Sequence, residues 1–118
     1  MKLTVLSTDN DLTRLQNEGD ITQLDFRAGT DLLADVVGPD CYRRKVLINL
    51  DKTPYIDSAG IGWLIKSHKL FLQSGGKLIL HSIPTSVKHM FQLLKLNHLL
   101  HMAEDEVEAQ QLALGGKR

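Results

Sequence analysis

Two short apolar runs, separated by a stretch of helical character, constrain the fold of this chain more than any other feature. The runs are Lys45–Leu50 (KVLINL) and Lys77–Ile83 (KLILHSI), and such aliphatic, β-branched segments are typical of strands buried on both faces. Gly75 and Gly76 end the intervening helical stretch just before the second run. A strand, a helix and a second strand in this order form a crossover between parallel strands. The sequence therefore predicts an α/β fold whose central strand is Lys45–Leu50 and ends at Asp51.

Weaker patterns predict the remaining elements. Polar and apolar residues alternate in the N-terminal segments, and Asp9-Asn10-Asp11 between them is typical of a turn. Thr30-Asp31 can cap a short helix that Gly38-Pro39 ends. The predicted strands are 2–7, 12–17, 45–50, 77–83 and 99–102, and the predicted helices are 32–37, 59–74, 104–114 and one after Pro84 with Val87, Met90, Phe91 and Leu94 on its apolar face. The prediction is a single domain over 1–118, with a mixed sheet of about five strands and about four helices packed mainly on one face.

The composition argues against several classes of function. The 14 basic and 14 acidic residues give a formal charge of zero, so the chain lacks the basic field that non-specific nucleic-acid binding requires. No apolar run approaches the roughly 20 residues of a membrane span, and the N-terminal residues become polar too early for a signal-peptide core. We therefore expect a cytoplasmic protein without membrane insertion. Cys41 is the only cysteine, which excludes an intrachain disulfide and a cysteine-rich metal site.

The segment Pro54–Leu64 (PYIDSAGIGWL) departs from what helix stability favours. It leads from the central strand into the crossover helix at the carboxyl end of the sheet, the edge where open α/β sheets place their sites. Either Asp57 or Ser58 can cap that helix through a side-chain oxygen. Capping does not require Gly60 and Gly62, which each cost a helix about 1 kcal/mol relative to alanine but let a backbone or a phosphate approach closely. We interpret this segment as the candidate site.

A helix over 59–74 has two faces at about 100° per residue. The predicted core stripe is Ile61, Leu64, Ile65, His68, Phe71 and Leu72. Trp63 and Leu70 lie on the opposite face among small residues, which are Ala59, Gly60, Ser67 and Ser74. Trp63 is then either an isolated exposed side chain or an aromatic anchor of a docking patch that also contains Ser67 and Leu70.

The motif IDSAGIGWL (56–64), preceded by LINLDKTPY and followed by SGGKLILHSIPTSVKHMFQLLKL, resembles the STAS domain of bacterial anti-sigma factor antagonists. The signature of that family is Asp-Ser-Ser/Thr-Gly-Leu/Ile-Gly, and the resemblance extends over residues 12–114 in element order. It implies that Ser58 is a regulatory phosphorylation site within a switch loop formed by Asp57, Ala59, Gly60 and Gly62. The implied function is a protein-binding module and not an enzyme, without cofactor or metal.

The resemblance also implies the partners of the module. The unphosphorylated form binds an anti-sigma factor that is also a serine kinase, and thereby releases a sigma factor. Phosphorylation of Ser58 by that kinase breaks the complex, and a metal-dependent serine phosphatase restores it. The oligomeric state is left open. An alternative within the same fold is a non-phosphorylated scaffold subunit of a signalling or lipid-transport assembly.

Two positions depart from the family pattern. Ala59 replaces the second hydroxyl residue of the motif. Many members carry an aspartate that borders the serine, in a Gly-x-Leu-Asp run; here Gly19-Asp20-Ile21-Thr22 places Thr22 there, unless Asp20 or Asp25 substitutes for it. These departures bear on the identity of the kinase more than on the fold.

An enzyme is the competing class of function. A serine hydrolase is the form of it that we consider, and the sequence favours it less than the scaffold alternative. The segment around Ser58 lacks the leading glycine of a G-x-S-x-G elbow, and Ile65 stands where G-x-G-x-x-G needs its third glycine. His98 and His101 are three residues apart, but alternate residues of a strand point to opposite faces, which disfavours a shared metal. We therefore predict no catalytic and no metal-ligating residue.

Overall fold

The sheet is built around the strand that the sequence places at its centre. A computed structural model describes residues 1–9 and 12–115, so the predicted turn at Asn10 and Asp11 lies outside the described residues. The strands within these ranges lie side by side in the order β1 (Lys2–Asp9), β2 (Leu12–Glu18), β3 (Lys45–Lys52), β4 (Lys77–His81) and β5 (His101–Ala103). β1 pairs antiparallel with β2, and the other neighbours are parallel. The mixed five-stranded sheet is as predicted.

Helices cover both faces of this sheet, with most of them on one side. In the described part of the chain they are α1 (Leu32–Val37), α2 (Ser58–Ser74), α3 (Thr85–Leu93) and α4 (Glu106–Gly115). Residues of α1, α2 and α3 pack with Val46, Ile48 and Leu50 of β3, whereas Ala109 and Ala113 of α4 pack with Leu47 on the opposite face. None of the helices in residues 1–9 and 12–115 is long and apolar enough to cross a membrane.

Several element ends differ from the prediction. β3 continues to Lys52, two residues beyond the predicted end at Leu50, and Lys52 pairs with Glu18 of β2. β4 ends at His81 because Ser82 adopts a left-handed conformation with φ of 58° and leaves the strand. β5 begins at His101, since Leu99 and Leu100 belong to the turn that follows a 3₁₀ segment at Leu96–His98.

The C-terminal helices are also shorter than predicted. α3 ends at Leu93, so Leu94 lies beyond the helix and is exposed, while Val87 and Phe91 are buried as expected. α4 begins at Glu106, because the carboxylate of Asp105 accepts a hydrogen bond from the amide of Glu108 at 2.9 Å and so occupies a capping position.

The buried face of α2 is rotated relative to the predicted stripe. Leu64, His68 and Phe71 are buried as predicted, but Leu72 is 58% exposed, and Ser67 is only 2% exposed. Tyr42, in the segment before β3, meets the ring of Phe71 edge-on at 5.0 Å and lines a small hollow together with Ser67, so this segment packs against the same helix. The helical period specifies which residues share a face, whereas packing against other segments decides which face is covered.

Candidate functional site

Asp57, and not Ser58, caps α2. Its Oδ1 accepts a hydrogen bond from the amide of Gly60 at 2.9 Å, and its Oδ2 accepts one from the amide of Gln23, also at 2.9 Å. The Gln23 amide first, and then the Gly60 amide, hold the pKa of Asp57 below its usual range, because both bonds favour the ionised form. One carboxylate therefore joins the first turn of α2 to the segment that follows β2.

That segment is held beside the switch loop by backbone pairing. Ile21 forms an isolated parallel bridge with Ile56, in which the Ile21 amide donates to the carbonyl of Tyr55 at 3.0 Å. The carbonyl of Ile21 in turn accepts from the amide of Asp57 at 3.1 Å. The chain thus extends the β2–β3 pairing beyond the strand ends and brings residues 21–25 against the start of α2.

Thr22 has a local structural role in this segment. It precedes a 3₁₀ turn at Gln23–Asp25, and its amide donates to Asp25 Oδ2 at 2.8 Å. The other oxygen of Asp25 accepts from the nitrogen of Met1 at 2.9 Å, so both carboxylate oxygens of Asp25 are engaged away from Ser58. In this chain the residues of the segment that bond to Asp57 are Ile21, through its carbonyl, and Gln23, through its amide.

Ser58 is the first residue of α2 and is exposed. Because Asp57 supplies the cap, the fold does not need the hydroxyl of Ser58. The side chain therefore stands at the amino end of a 17-residue helix, where the helix dipole favours added negative charge. Ala59 beside it is half-buried and offers no second hydroxyl.

The predicted switch loop is mostly helical, because Ala59, Gly60 and Gly62 lie within α2 and only Asp57 precedes it; we keep the name switch loop for these residues and Ser58. Its two glycines lie in different surroundings. Gly60 is buried, and a Cβ there would lie 2.6 Å from Cγ2 of Ile56 and 2.7 Å from the carbonyl oxygen of Ile21. Gly60 therefore allows the backbone of Ile21 to approach closely, as expected of a glycine in this segment. The prediction that Gly60 lies on the outer face of the helix was wrong. Gly62 is exposed, and a Cβ there would meet nothing within 4 Å.

The three residues predicted to bind a partner also differ from one another. Trp63 is half-buried, and its ring lies 5.7 Å from that of Phe26 at an interplanar angle of 31°. Leu70 is half-buried and lines a small hollow together with Trp63. Ser67 is buried, so its predicted exposure on the docking patch was wrong.

Two exposed apolar residues beside the switch loop were missed from the sequence. Leu24 is 91% exposed and directly follows Gln23, whose amide is bound to Asp57. Tyr55 is 53% exposed and lies three residues before Ser58. Neither residue has a clear signal in the sequence, because their exposure matters only once the two segments are known to meet. Both side chains lie on the two segments that meet at Asp57, and exposed apolar surface is typical of a docking site.

The histidines lie apart from Ser58. His68 and His101 form an edge-on pair with ring centroids 5.2 Å apart, and burial lowers the pKa of both. Within residues 1–9 and 12–115, the serine that is hydrogen-bonded to a histidine is Ser82, whose hydroxyl lies 2.8 Å from the buried His81. Ser58 forms no such bond in these ranges. In the same ranges, no group of three His, Cys, Asp or Glu residues could hold a metal ion.

Comparison with known proteins agrees with this architecture. A family model described as the STAS domain matches residues 5–109. A crystal structure of a putative anti-sigma factor antagonist, TM1081 from Thermotoga maritima, is similar with a TM-score of 0.78 and 18% identity, over 95% of this chain and 92% of that chain. The anti-sigma factor antagonist SpoIIAA in its unphosphorylated form has a TM-score of 0.62 and 15% identity, over 93% of this chain and 96% of that chain. At these identities the two structures establish a shared fold.

Proposed function

This chain belongs to the STAS domain family, and on that premise we propose that it is an anti-sigma factor antagonist controlled by phosphorylation of Ser58. In its unphosphorylated form it binds an anti-sigma factor that is also a serine kinase. Phosphate on Ser58 releases that partner, and a metal-dependent serine phosphatase returns the protein to its binding form. The similarity in fold to the anti-sigma factor antagonist SpoIIAA, whose structure is of an unphosphorylated form, and to a putative antagonist supports the proposal.

The proposal depends on one observation: Asp57 caps α2, and Ser58 does not. Asp57 takes both backbone hydrogen bonds at the start of α2, which leaves Ser58 exposed and without a structural task. A kinase can therefore modify Ser58 without breaking an interaction that stabilises the fold. The exposed apolar side chains of Leu24 and Tyr55, on the two segments that meet at Asp57, can be covered by a partner.

Charge explains how the modification switches binding without unfolding the domain. A phosphoserine carries about −1.5 to −2 charges at pH 7, which the amino end of α2 favours and the ionised carboxylate of Asp57 opposes. In the free protein these opposing effects act in water, where both are weak. In a closed complex the dianion loses its water, which costs several kcal/mol unless a cation of the partner faces it. Phosphorylation therefore weakens the complex much more than it changes folding.

The first test is chemical. Purified protein is incubated with Mg²⁺-ATP and a candidate kinase isolated from its own host by affinity capture, and the products are analysed by intact mass and phosphopeptide mapping. The reaction transfers the γ-phosphoryl group to Oγ of Ser58 with release of ADP and the hydroxyl proton. Ser58→Ala abolishes the added mass, whereas Ser74→Ala, at the exposed other end of the same helix, does not.

The second test concerns binding to the captured kinase. Ser58→Glu reduces the affinity at least about tenfold, while the matched variant Ser74→Glu binds like the wild type and circular dichroism shows both to be folded. Equal binding by Ser58→Glu and the wild type contradicts the phosphorylation switch. A protein that binds its partner and is never modified supports the alternative of a non-phosphorylated scaffold subunit.

A further inference from the structure

We propose that a groove beside Trp63 receives an acidic segment of the partner protein; the existence of that partner rests on the proposed function. The groove lies between α2 and the chain that leads into α1, and it has a volume of about 370 Å³. Its lining includes the aromatic rings of Phe26 and Trp63, the bare backbone of Gly62, and the cations Arg27 and Lys66. We call this feature the Trp63 groove.

The shape of the groove indicates a space that the chain does not fill itself. Phe26 and Trp63 pack at 5.7 Å to form a single aromatic wall. Gly62 is exposed beside this wall, and nothing lies within 4 Å of the position that its Cβ would take. Glycine here weakens α2 relative to alanine, and the described structure shows no packing that requires it. A glycine at this position is explained if a side chain of another protein packs against the aromatic wall, because a glycine leaves room for it.

The charge of the groove indicates which side chains it accepts. Arg27 and Lys66 are exposed, and neither forms an ion pair with another residue of the described ranges. No carboxylate lines the Trp63 groove in that part of the chain. A segment in which Asp or Glu flanks an aliphatic or aromatic side chain complements both the cations and the apolar wall.

The neighbouring surface limits how the segment lies. A smaller hollow of about 70 Å³ shares Trp63 and Lys66 with the groove and contains Asp31. Both oxygens of that carboxylate lie 2.9 Å from the hydroxyl of Tyr42, and Oδ1 also accepts from the amide of Ala34. The negative charge of Asp31 repels acidic side chains inside this smaller hollow, so the carboxylates of the segment lie on the Trp63 groove side of Lys66, between Lys66 and Arg27.

A second copy of this chain is a weaker candidate for the occupant. The run Glu104–Glu108 is acidic and carries Val107, which is 68% exposed, so it resembles the required segment in chemistry. However, contact between this run and the Trp63 groove of another copy is head-to-tail, and such contacts produce open chains unless they close into a ring. A different protein is therefore the occupant we propose, and self-association is an outcome that the test can detect.

Trp63 is the only tryptophan of the chain, so its fluorescence reports occupation of the groove. The probe is the hexapeptide acetyl-Asp-Glu-Leu-Asp-Phe-Glu-amide, and its control is the analogue with Asn and Gln in place of the acids. The acidic peptide changes the fluorescence saturably and binds at least about fourfold more tightly than the analogue. Arg27→Ala and Lys66→Ala each weaken its binding by a factor of about 2 to 5, the range of an exposed ion pair, and Lys69→Ala, an exposed cation of α2 outside the groove, does not.

A steric variant tests the same groove without changing its charge. Gly62→Leu places a side chain in the open space, so it abolishes peptide binding and lowers affinity for the kinase at least about tenfold while the melting temperature is maintained. Four outcomes overturn the inference: no fluorescence response to the peptide, equal binding of the uncharged analogue, the same Lys66-dependent response to inorganic phosphate or ATP, or self-association that Lys66→Glu removes. Failure here leaves the proposed function intact if the kinase still phosphorylates Ser58. Conversely, loss of the phosphorylation result leaves the peptide titration unaffected.

Discussion

Replacing each glycine of the switch loop by alanine has opposite effects on stability, and Gly60 is the costly position. The added methyl group of Gly60→Ala would lie 2.7 Å from the carbonyl oxygen of Ile21, which is closer than such contacts occur. That carbonyl accepts the amide of Asp57 at 3.1 Å, so moving it strains a hydrogen bond that holds residues 21–25 in place. Overpacking costs about 1–3 kcal/mol and a weakened hydrogen bond about 0.5–1.5 kcal/mol.

The gain in helix propensity offsets only part of this cost. Alanine stabilises a helix interior by about 0.5–1 kcal/mol relative to glycine, so Gly60→Ala destabilises the protein by roughly 1–3 kcal/mol. Gly62→Ala receives the same gain without a clash, because its Cβ meets nothing within 4 Å, and is expected to stabilise the protein by about 0.5–1 kcal/mol. The melting temperature then falls by at least about 4 °C in the first variant and rises by a few degrees in the second.

Urea unfolding followed by circular dichroism measures both effects at 25 °C. The reasoning requires similar m-values in both variants, because a changed m-value would indicate a different denatured state or intermediate. A Gly60→Ala variant as stable as the wild type would refute the close approach of Ile21 to α2. A destabilised Gly62→Ala variant would refute the open surroundings of Gly62, on which the Trp63 groove depends.

Three further predictions concern titratable groups. Asp57→Ala lowers the melting temperature at pH 7, because hydrogen bonds lower the folded pKa of Asp57 and so stabilise the fold fully above its unfolded pKa of about 3.9. The difference from the wild type is lost below that value, as the pH falls through the lower folded pKa. Burial lowers the pKa of His68 and His101, so the unfolded state binds more protons than the folded state below a pH of about 6.5. The free energy of unfolding measured in urea therefore declines as the pH falls below that value. His68→Gln reduces this decline, whereas His98→Gln, at an exposed histidine, does not. Burial raises the pKa of the Cys41 thiol to about 11, so iodoacetamide at pH 8 labels the native protein at least about a hundredfold more slowly than the urea-unfolded chain, and rapid native labelling would contradict the buried position.

The sequence predicted the sheet well because its central strands carry a signal that does not depend on distant partners. Lys45–Leu50 and Lys77–His81 are runs of aliphatic residues between polar ends, and such runs lie in the interior wherever the chain places them. The ends of the elements were less predictable. Ser82 leaves β4 through a left-handed conformation that serine adopts rarely, and no pattern in the surrounding residues indicates it.

The candidate site was only partly predictable, because its geometry depends on contacts between distant segments. The sequence left the helix cap open between Asp57 and Ser58, and the amide of Gln23, 34 residues away, is what engages the second oxygen of Asp57. In the same way, helical periodicity alone places Ser67 on the outside of α2, whereas Ser67 is buried in the fold and Tyr42 from another segment packs on Phe71 of the same helix. Local patterns predict which residues share a face, and tertiary pairing decides which of them a partner can reach.

The two-way attachment of the Asp57 carboxylate has a consequence for the speed of recognition. A single side chain fastens the start of α2 to the neighbouring turn, so the region around Ser58 has its final shape before any encounter. Little ordering remains to be done on contact, and we expect association to proceed in one kinetic phase at a rate set by collision and orientation. Asp57→Ala removes both hydrogen bonds and should add a slow rearrangement step that is visible in stopped-flow traces of binding.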